Sequence, residues 1–194
     1  GNGVGEAYSD FGDSAIWTGH YLAAEALRFE LTGDARALAG AQRAQSGLAK
    51  CLEVAISGDG LLSRCVVPLS SPRIVDIQGA PEFFVGYVQG QPYGSLGHIS
   101  RDQYIGTVLG LTQAYLRVPS LRAEAGPLLS RIVSYLDRHN WIAYCVDGSP
   151  ISAPFGQSPS VVWSILKAAN LAIHLHELGL IHGRGAAEQL ADSI

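Results

Sequence analysis

Two aspartates occupy positions where a carboxylate could transfer protons. Asp13 and Asp102 each stand at the beginning of a segment whose pattern predicts a helix. Paired carboxylates around one cleft can protonate a leaving oxygen and activate water, which is the chemistry of glycoside hydrolysis. An aspartate at a helix start is also a favoured N-cap, and the helix dipole favours its ionised form, which suits a base better than an acid. Capping alone is therefore the structural alternative for both residues.

Two further polar residues lie close to Asp102 in the sequence. Arg101 could bind a ligand carboxylate in bidentate geometry, or it could simply form a salt bridge with Asp102. His98, on the loop that enters this helix, could titrate near neutral pH, or it could be an ordinary hydrogen-bonding surface group. We expect both residues to contact substrate if Asp102 is catalytic.

Three aromatic residues lie early in predicted helices: Trp17, Tyr104 and Trp163. On the wall of a cleft such rings could stack on the C–H faces of pyranose sugars. The same residues also make good core residues, because they bury large apolar surfaces. Substrate binding and core packing are thus the two interpretations of each.

Other site types receive no support from the sequence. His174 and His176 are too close to face the same way on a helix, and no nucleophile elbow, P-loop or dinucleotide fingerprint is present. Cys51, Cys65 and Cys145 show no CxxC spacing and are expected to be buried thiols, with one disulfide as the alternative in an exported protein. The sequence predicts no cofactor and no metal.

Composition excludes several classes of protein. The 194 residues are 47% hydrophobic and only 15% charged, with a net charge of −4. This excludes a disordered chain, and the absence of any basic cluster argues against nucleic-acid binding. The longest apolar stretch, 161–181, is interrupted by Lys167 and Glu177 among other polar residues, so no membrane span is predicted. Because the chain contains no Met, we expect a mature product or a piece of something longer.

The elements that must position these residues are helices arranged in hairpins. Apolar periodicity predicts three hairpins, over about 15–56, 101–139 and 159–194, the third cut short. Gly33 marks the turn of the first, and Ser100 with Gln103 fits a capping box at the start of the second. The helix pairs are joined by long loops at 58–99 and 140–157, whose aromatic residues predict ordered packing; a strand-like run occurs at 73–77.

A weak internal repeat relates the first two hairpins. Aligning Gly19 with Gly106 places Trp17 on Tyr104. Small residues at equivalent positions permit close helix approach. Repeated hairpins that cannot each bury a face alone are typical of a toroid or solenoid.

The segments that carry a family resemblance span about residues 10–178. The run Asp13-Ser-Ala-Ile-Trp-Thr-Gly-His with Thr32-Gly33-Asp34 resembles the opening hairpin of six-hairpin (α/α)6 toroid proteins, the six-hairpin glycosidase-like group. Ser100-Arg-Asp-Gln-Tyr-Ile-Gly resembles the next inner helix, and Asp147-Gly-Ser-Pro with Phe155-Gly-Gln-Ser-Pro resembles a linking loop. The likeness is strongest to uncharacterised bacterial members and more distant to unsaturated glucuronyl hydrolases.

This resemblance implies a fold and a function. It implies an all-α chain, one domain or fragment over 1–194, that forms about half of a toroid whose inner helices begin at a substrate funnel. Asp13 and Asp102 would then lie within roughly 10 Å of each other, around a pocket lined by Trp17 and Tyr104. The expected activity is that of a glycoside hydrolase or lyase acting on an oligosaccharide by Asp acid/base chemistry.

The alternative is a non-catalytic structural or assembly subunit that uses the hairpins as an interaction surface. Half a toroid leaves apolar hairpin sides bare, more than a monomer usually exposes. We therefore expect another copy, or the missing half, to cover the first hairpin at Leu38, Leu48 and Leu52 and the last segment at 180–194.

Overall fold

The computed structural model describes residues 11–55, 59–140 and 142–151. The described chain is mostly helical, and its four long helices form the first two of the predicted hairpins. The third predicted hairpin and Trp163 lie outside the described residues. The helices are α1 (Ser14–Thr32), α2 (Ala35–Glu53), α3 (Arg101–Arg117) and α4 (Arg122–Arg138).

The turn and capping residues predicted at the helix ends are partly confirmed. Gly33 ends α1 with a φ of 64°, the left-handed conformation that favours glycine, and Asp34 caps α2 by accepting a 2.8 Å hydrogen bond from the Arg36 N–H. The capping box at α3 is wrong, because the Ser100 side chain makes no cap hydrogen bond. The Gln103 side chain instead forms hydrogen bonds with Asp13 and with the Ile16 N–H of the first hairpin.

The helices α1 and α3 run parallel and touch through glycines. A Cβ added at Gly106 would lie 2.6 Å from the Ile16 carbonyl oxygen, and one at Gly110 would lie 2.5 Å from that of Gly19. A Cβ on Gly19 would overlap the Gly106 carbonyl. The two glycines aligned by the repeat therefore meet directly in space. Outside this pair, α2 packs on α1 and α4 packs on α3.

The leucines that were predicted to form a bare face on the first hairpin are packed inside the chain. Leu48 and Leu52 are fully buried and Leu38 partly so, packed within the chain itself. Our prediction that these leucines form a bare face for a partner is therefore wrong. Several apolar side chains of α1 are exposed instead, among them Leu27 at 42% and Leu31 at 74%.

Helix α1 exposes large side chains because small ones occupy its buried face. Ala15, Gly19, Leu22 and Ala26 share that face at helical spacing. Close contact with α3 requires the small residues to point inward, so the bulkier apolar residues turn outward.

A small antiparallel sheet lies in the loop between the hairpins, so the chain is not purely α-helical. The third strand along the chain lies between the first and the second and pairs with both. The strand-like run at 73–77 is instead largely a 3-10 helix, Pro72–Asp76, because Pro72 starts it and Ser71 caps it with its side chain. The strands are β1 (Val66–Pro68), β2 (Phe83–Val88) and β3 (Gln91–Leu96).

The cysteines are free, buried thiols. Burial raises the pKa of Cys51 to about 12 and that of Cys65 to about 11. No group of three or more potential metal ligands occurs among the described residues. Within the same residues, no helix combines the length and the apolar character needed to cross a membrane.

Candidate functional site

A cavity of about 380 Å³ opens at the N-terminal end of α3. Three segments that are distant in sequence form its walls: the start of α3, the residues just before β1, and a turn over 145–151. The structure brings together three of the predicted site residues here. The polar side chains that line the cavity are Arg64, His98, Ser100, Arg101, Asp102 and Ser149.

Arg64 is the residue that joins these segments, and sequence reasoning missed it. Its Nε donates to the carbonyl oxygen of His98, and its Nη1 donates to that of Gly12 at 2.7 Å. The same Nη1 lies 3.8 Å from Asp13 Oδ1. Only tertiary contacts place Arg64 at the site, since no spacing in the sequence marks it.

Asp13 lies beside the cavity wall but is not among the residues that line it. Its Oδ1 accepts a 2.9 Å hydrogen bond from Gln103 Nε2, and Gln103 Oε1 accepts one of 2.9 Å from the Ile16 N–H. The buried Gln103 thus satisfies a first-turn donor of α1 that a capping side chain could have taken. Asp13 makes no side-chain cap hydrogen bond, so capping does not explain it.

Arg101 and Asp102 form the wall at the start of α3. Arg101 Nε lies 3.8 Å from Asp102 Oδ1, and the Asp102 side chain is 65% exposed. Arg101 Nε is itself buried and has no hydrogen-bond partner among the described residues. This wall therefore presents the Arg101 guanidinium and the Asp102 carboxylate side by side at the start of α3, a helix that the Ser100 side chain does not cap.

His98 and Asp147 face each other at the rim of the cavity. His98 Nε2 lies 3.2 Å from Asp147 Oδ2. Asp147 Oδ1 accepts hydrogen bonds from the Ser149 N–H at 2.9 Å and from the Ser149 hydroxyl at 2.6 Å. These bonds, together with the one to His98, lower the pKa of Asp147 to about 2. Sequence reasoning quoted the Asp-Gly-Ser turn only as a linking loop and missed its contact with His98.

A smaller cavity of about 180 Å³ adjoins the first. His98 lines both cavities, and the smaller one is also lined by Glu82, Phe83, Phe84 and Asp147. The His98–Asp147 pair therefore stands where the two cavities meet.

Neither Trp17 nor Tyr104 lines the cavity, and the third member of the predicted aromatic platform, Trp163, lies outside the described residues. Tyr104 is fully buried: its hydroxyl accepts from the Leu62 N–H at 3.1 Å and donates to the Gly60 carbonyl at 3.3 Å. Burial raises its pKa, and its ring stacks on Tyr135 with 6.5 Å between centroids. Tyr104 is therefore a core residue. Trp17 is 64% exposed, packs near His20 and lines neither cavity, so its role in binding stays a prediction.

Comparison of the chain with known proteins gives no match, either to the models of protein families, to curated proteins or to solved structures.

Proposed function

We propose that the protein is a carbohydrate-active enzyme, a glycoside hydrolase or lyase that acts on an acidic oligosaccharide in the larger cavity. The observation that carries the proposal is that two guanidinium groups and a carboxylate, those of Arg64, Arg101 and Asp102, line one cavity. In this proposal Asp102 and Asp13 supply the carboxylate chemistry.

The charges of the cavity favour an anionic ligand. Arginine binds carboxylates in bidentate geometry, and the Nε of Arg101 makes no hydrogen bond within the described part of the chain. The N-terminal end of α3, which the Ser100 side chain does not cap, adds to the same preference. A cavity of about 380 Å³ has the size of a small-ligand pocket and fits one sugar ring with its substituents.

We further propose that the two hairpins belong to an (α/α)6-type toroid. Two features support this architecture: α1 and α3 are parallel neighbours, and each carries its hairpin partner on another side. In a toroid, the N-terminal ends of such helices surround the funnel. Asp13 and Asp102 stand at the starts of α1 and α3, and Asp102 lines the cavity in which the proposed substrate binds.

A second candidate function is supported by the exposed apolar residues. Trp17, Leu27 and Leu31 on α1 and Leu116 on α3 are between 42% and 74% exposed. Such a surface favours a structural or assembly subunit that binds another copy or a missing half of the toroid. Light scattering tests this candidate, since a purified chain that stays monomeric and binds no hydrophobic dye would contradict it.

The enzymatic proposal is tested by substrate binding and turnover together. Glucuronate and galacturonate oligosaccharides are incubated with the chain, and the products are separated by chromatography. We expect Asp102→Asn to abolish turnover while the melting temperature and the binding of free glucuronate persist. Asp137→Asn, on the exposed end of α4, is the matched control. Absence of wild-type turnover would contradict the proposal, and so would an Asp102→Asn variant that loses stability but keeps its turnover.

A further inference from the structure

Cleavage of a glycosidic bond requires a proton donor as well as a base. In the candidate site, Asp102 lies beside the Arg101 guanidinium and Asp13 beside that of Arg64. Both carboxylates therefore lie beside a guanidinium group, and in the proposed function Asp102 accepts the proton of the attacking water. The donor must come from another group that lines the cavity.

Few groups that line the cavity can donate a proton and later regain it. Arg64 and Arg101 stay protonated throughout the working pH range of proteins. The Cys145 thiol is a weak donor, and this residue is only 7% exposed. A histidine side chain, by contrast, ordinarily changes charge between pH 5 and 8. His98 lines the cavity with its side chain 53% exposed to an incoming ligand.

We propose that His98 is the general acid of this site and that Asp147 is the residue that positions it. The inference rests on the proposed function and adds a catalytic residue to it. Its basis is the geometry of the rim, where His98 lines the cavity while its Nε2 lies 3.2 Å from Asp147 Oδ2.

Both the backbone and the side chain of His98 contact other residues of the site. Its backbone carbonyl accepts from Arg64 Nε, and its ring faces Asp147. Asp147 is fixed in turn by the two hydrogen bonds from Ser149. The turn itself is bound to the chain next to His98, since the Val146 N–H donates to the Gly97 carbonyl at 3.1 Å. This is the arrangement in which a carboxylate orients a histidine for proton transfer.

The proposed step balances as follows for hydrolysis. The imidazolium of His98 gives its N–H proton to the glycosidic oxygen, and the electron pair of the breaking C–O bond goes to that oxygen. Water bonds to the anomeric carbon and loses its proton to the Asp102 carboxylate. His98 then takes up a proton from solvent and Asp102 releases one. The charged groups around His98 are Asp147, Glu82, Arg64, Arg101 and Asp102.

The test compares leaving groups that differ in their need for a proton. Wild type and His98→Gln are assayed on a glucuronide disaccharide and on a 4-nitrophenyl glucuronide, in both anomeric forms. Nitrophenolate leaves without protonation, whereas a sugar alkoxide does not. We expect His98→Gln to lower kcat on the disaccharide by about 100-fold or more and to affect the nitrophenyl substrate far less. His20→Gln, an exposed histidine on α1, is the matched control.

Asp147→Asn tests the positioning role. We expect a fall of about tenfold in kcat on the disaccharide, little change in KM, and an alkaline limb of the pH profile that moves to lower pH. An unchanged profile would overturn the role of Asp147.

The remaining outcomes separate the two proposals. A wild type that cleaves none of these compounds contradicts the proposed function, and the acid role of His98 fails with it. A wild type that cleaves them, with His98→Gln equally active or slowed equally on both leaving groups, leaves the proposed function standing and overturns the role of His98.

Discussion

The contact between α1 and α3 and the wall of the cavity are formed by different kinds of interaction. The first brings backbone against backbone at Gly19, Gly106 and Gly110. The second is made of long polar side chains that reach across from separate segments, as Arg64 does. Close backbone packing dominates the helix contact, whereas charge and hydrogen bonding dominate the cavity.

This difference predicts where substitutions act. Backbone packed on backbone cannot yield to an added atom, so changes at the glycines should lower the free energy of unfolding. Exposed polar side chains contribute little to stability, so changes in the cavity should lower ligand binding instead. The predictions below test this separation, from the largest expected effect to the smallest.

Gly19→Ala should cost about 3 kcal/mol of unfolding free energy, at the upper end of the usual overpacking penalty. The new Cβ would overlap the Gly106 carbonyl, and neither backbone can move without separating the helices. Denaturant unfolding measures the change. Gly47→Ala is the matched control, because its Cβ would meet nothing closer than 3.9 Å, to Thr18 Cγ2. That variant should gain about 0.5–1 kcal/mol from helix propensity. Equal effects of the two substitutions would contradict close packing at Gly19.

Arg101→Gln should weaken the binding of glucuronate by about 2 kcal/mol, or roughly 30-fold, which is typical of a hydrogen bond to a charged group. The melting temperature should change little, because the side chain is one-third exposed and its Nε has no hydrogen-bond partner among the described residues. Calorimetric titration measures the affinity. Arg73→Gln is the control, since this arginine pairs with Asp76 away from the cavity. Unaltered affinity in Arg101→Gln would show that the cavity does not bind the carboxylate.

Tyr104→Phe should lower the unfolding free energy by about 1–2 kcal/mol, because it removes the acceptor of the buried Leu62 N–H. The binding of glucuronate should persist, since Tyr104 does not line the cavity. Chemical unfolding and calorimetry on the same variant separate the two effects. Weakened binding at unchanged stability would instead restore Tyr104 as a ligand-binding residue.

Helix positions were predictable from the sequence because they depend on neighbours within one or two turns. The bounds of α1, α2, α3 and α4 follow from apolar spacing and from punctuation such as Gly33. Which face of α1 is buried was not predictable by hydrophobicity, because close packing selected Gly19 over Leu27 and Leu31.

The cavity was only partly predictable for a related reason. His98, Arg101 and Asp102 are close in sequence and start a helix, so local pattern indicated them together. Arg64 and Asp147 reach the same place only through tertiary contacts, with the carbonyl of His98 and with its ring. No spacing rule connects residues that are 34 and 49 positions from His98.

The smallest effect concerns Asp147 and the pH dependence of stability. Its pKa in the folded chain is about 2, below the value of about 3.9 expected in an unfolded chain. The ionised carboxylate therefore stabilises the fold above about pH 4, and this contribution disappears as the pH falls through about 2. The melting temperature of Asp147→Asn should be slightly lower than that of wild type at pH 6, and the two should be equal near pH 2.

Ser149→Ala distinguishes the source of that shift. It removes the hydroxyl that donates to Asp147 Oδ1 and leaves the carboxylate in place. If hydrogen bonding holds the pKa down, this variant should lose part of the same pH-dependent stability, and Asp147→Asn added to it should then have a smaller effect than in wild type. Fully additive effects of the two substitutions would mean that the Ser149 hydroxyl does not hold Asp147. His98 would then face a mobile carboxylate, and the rim of the cavity would be less rigid than the contact between α1 and α3.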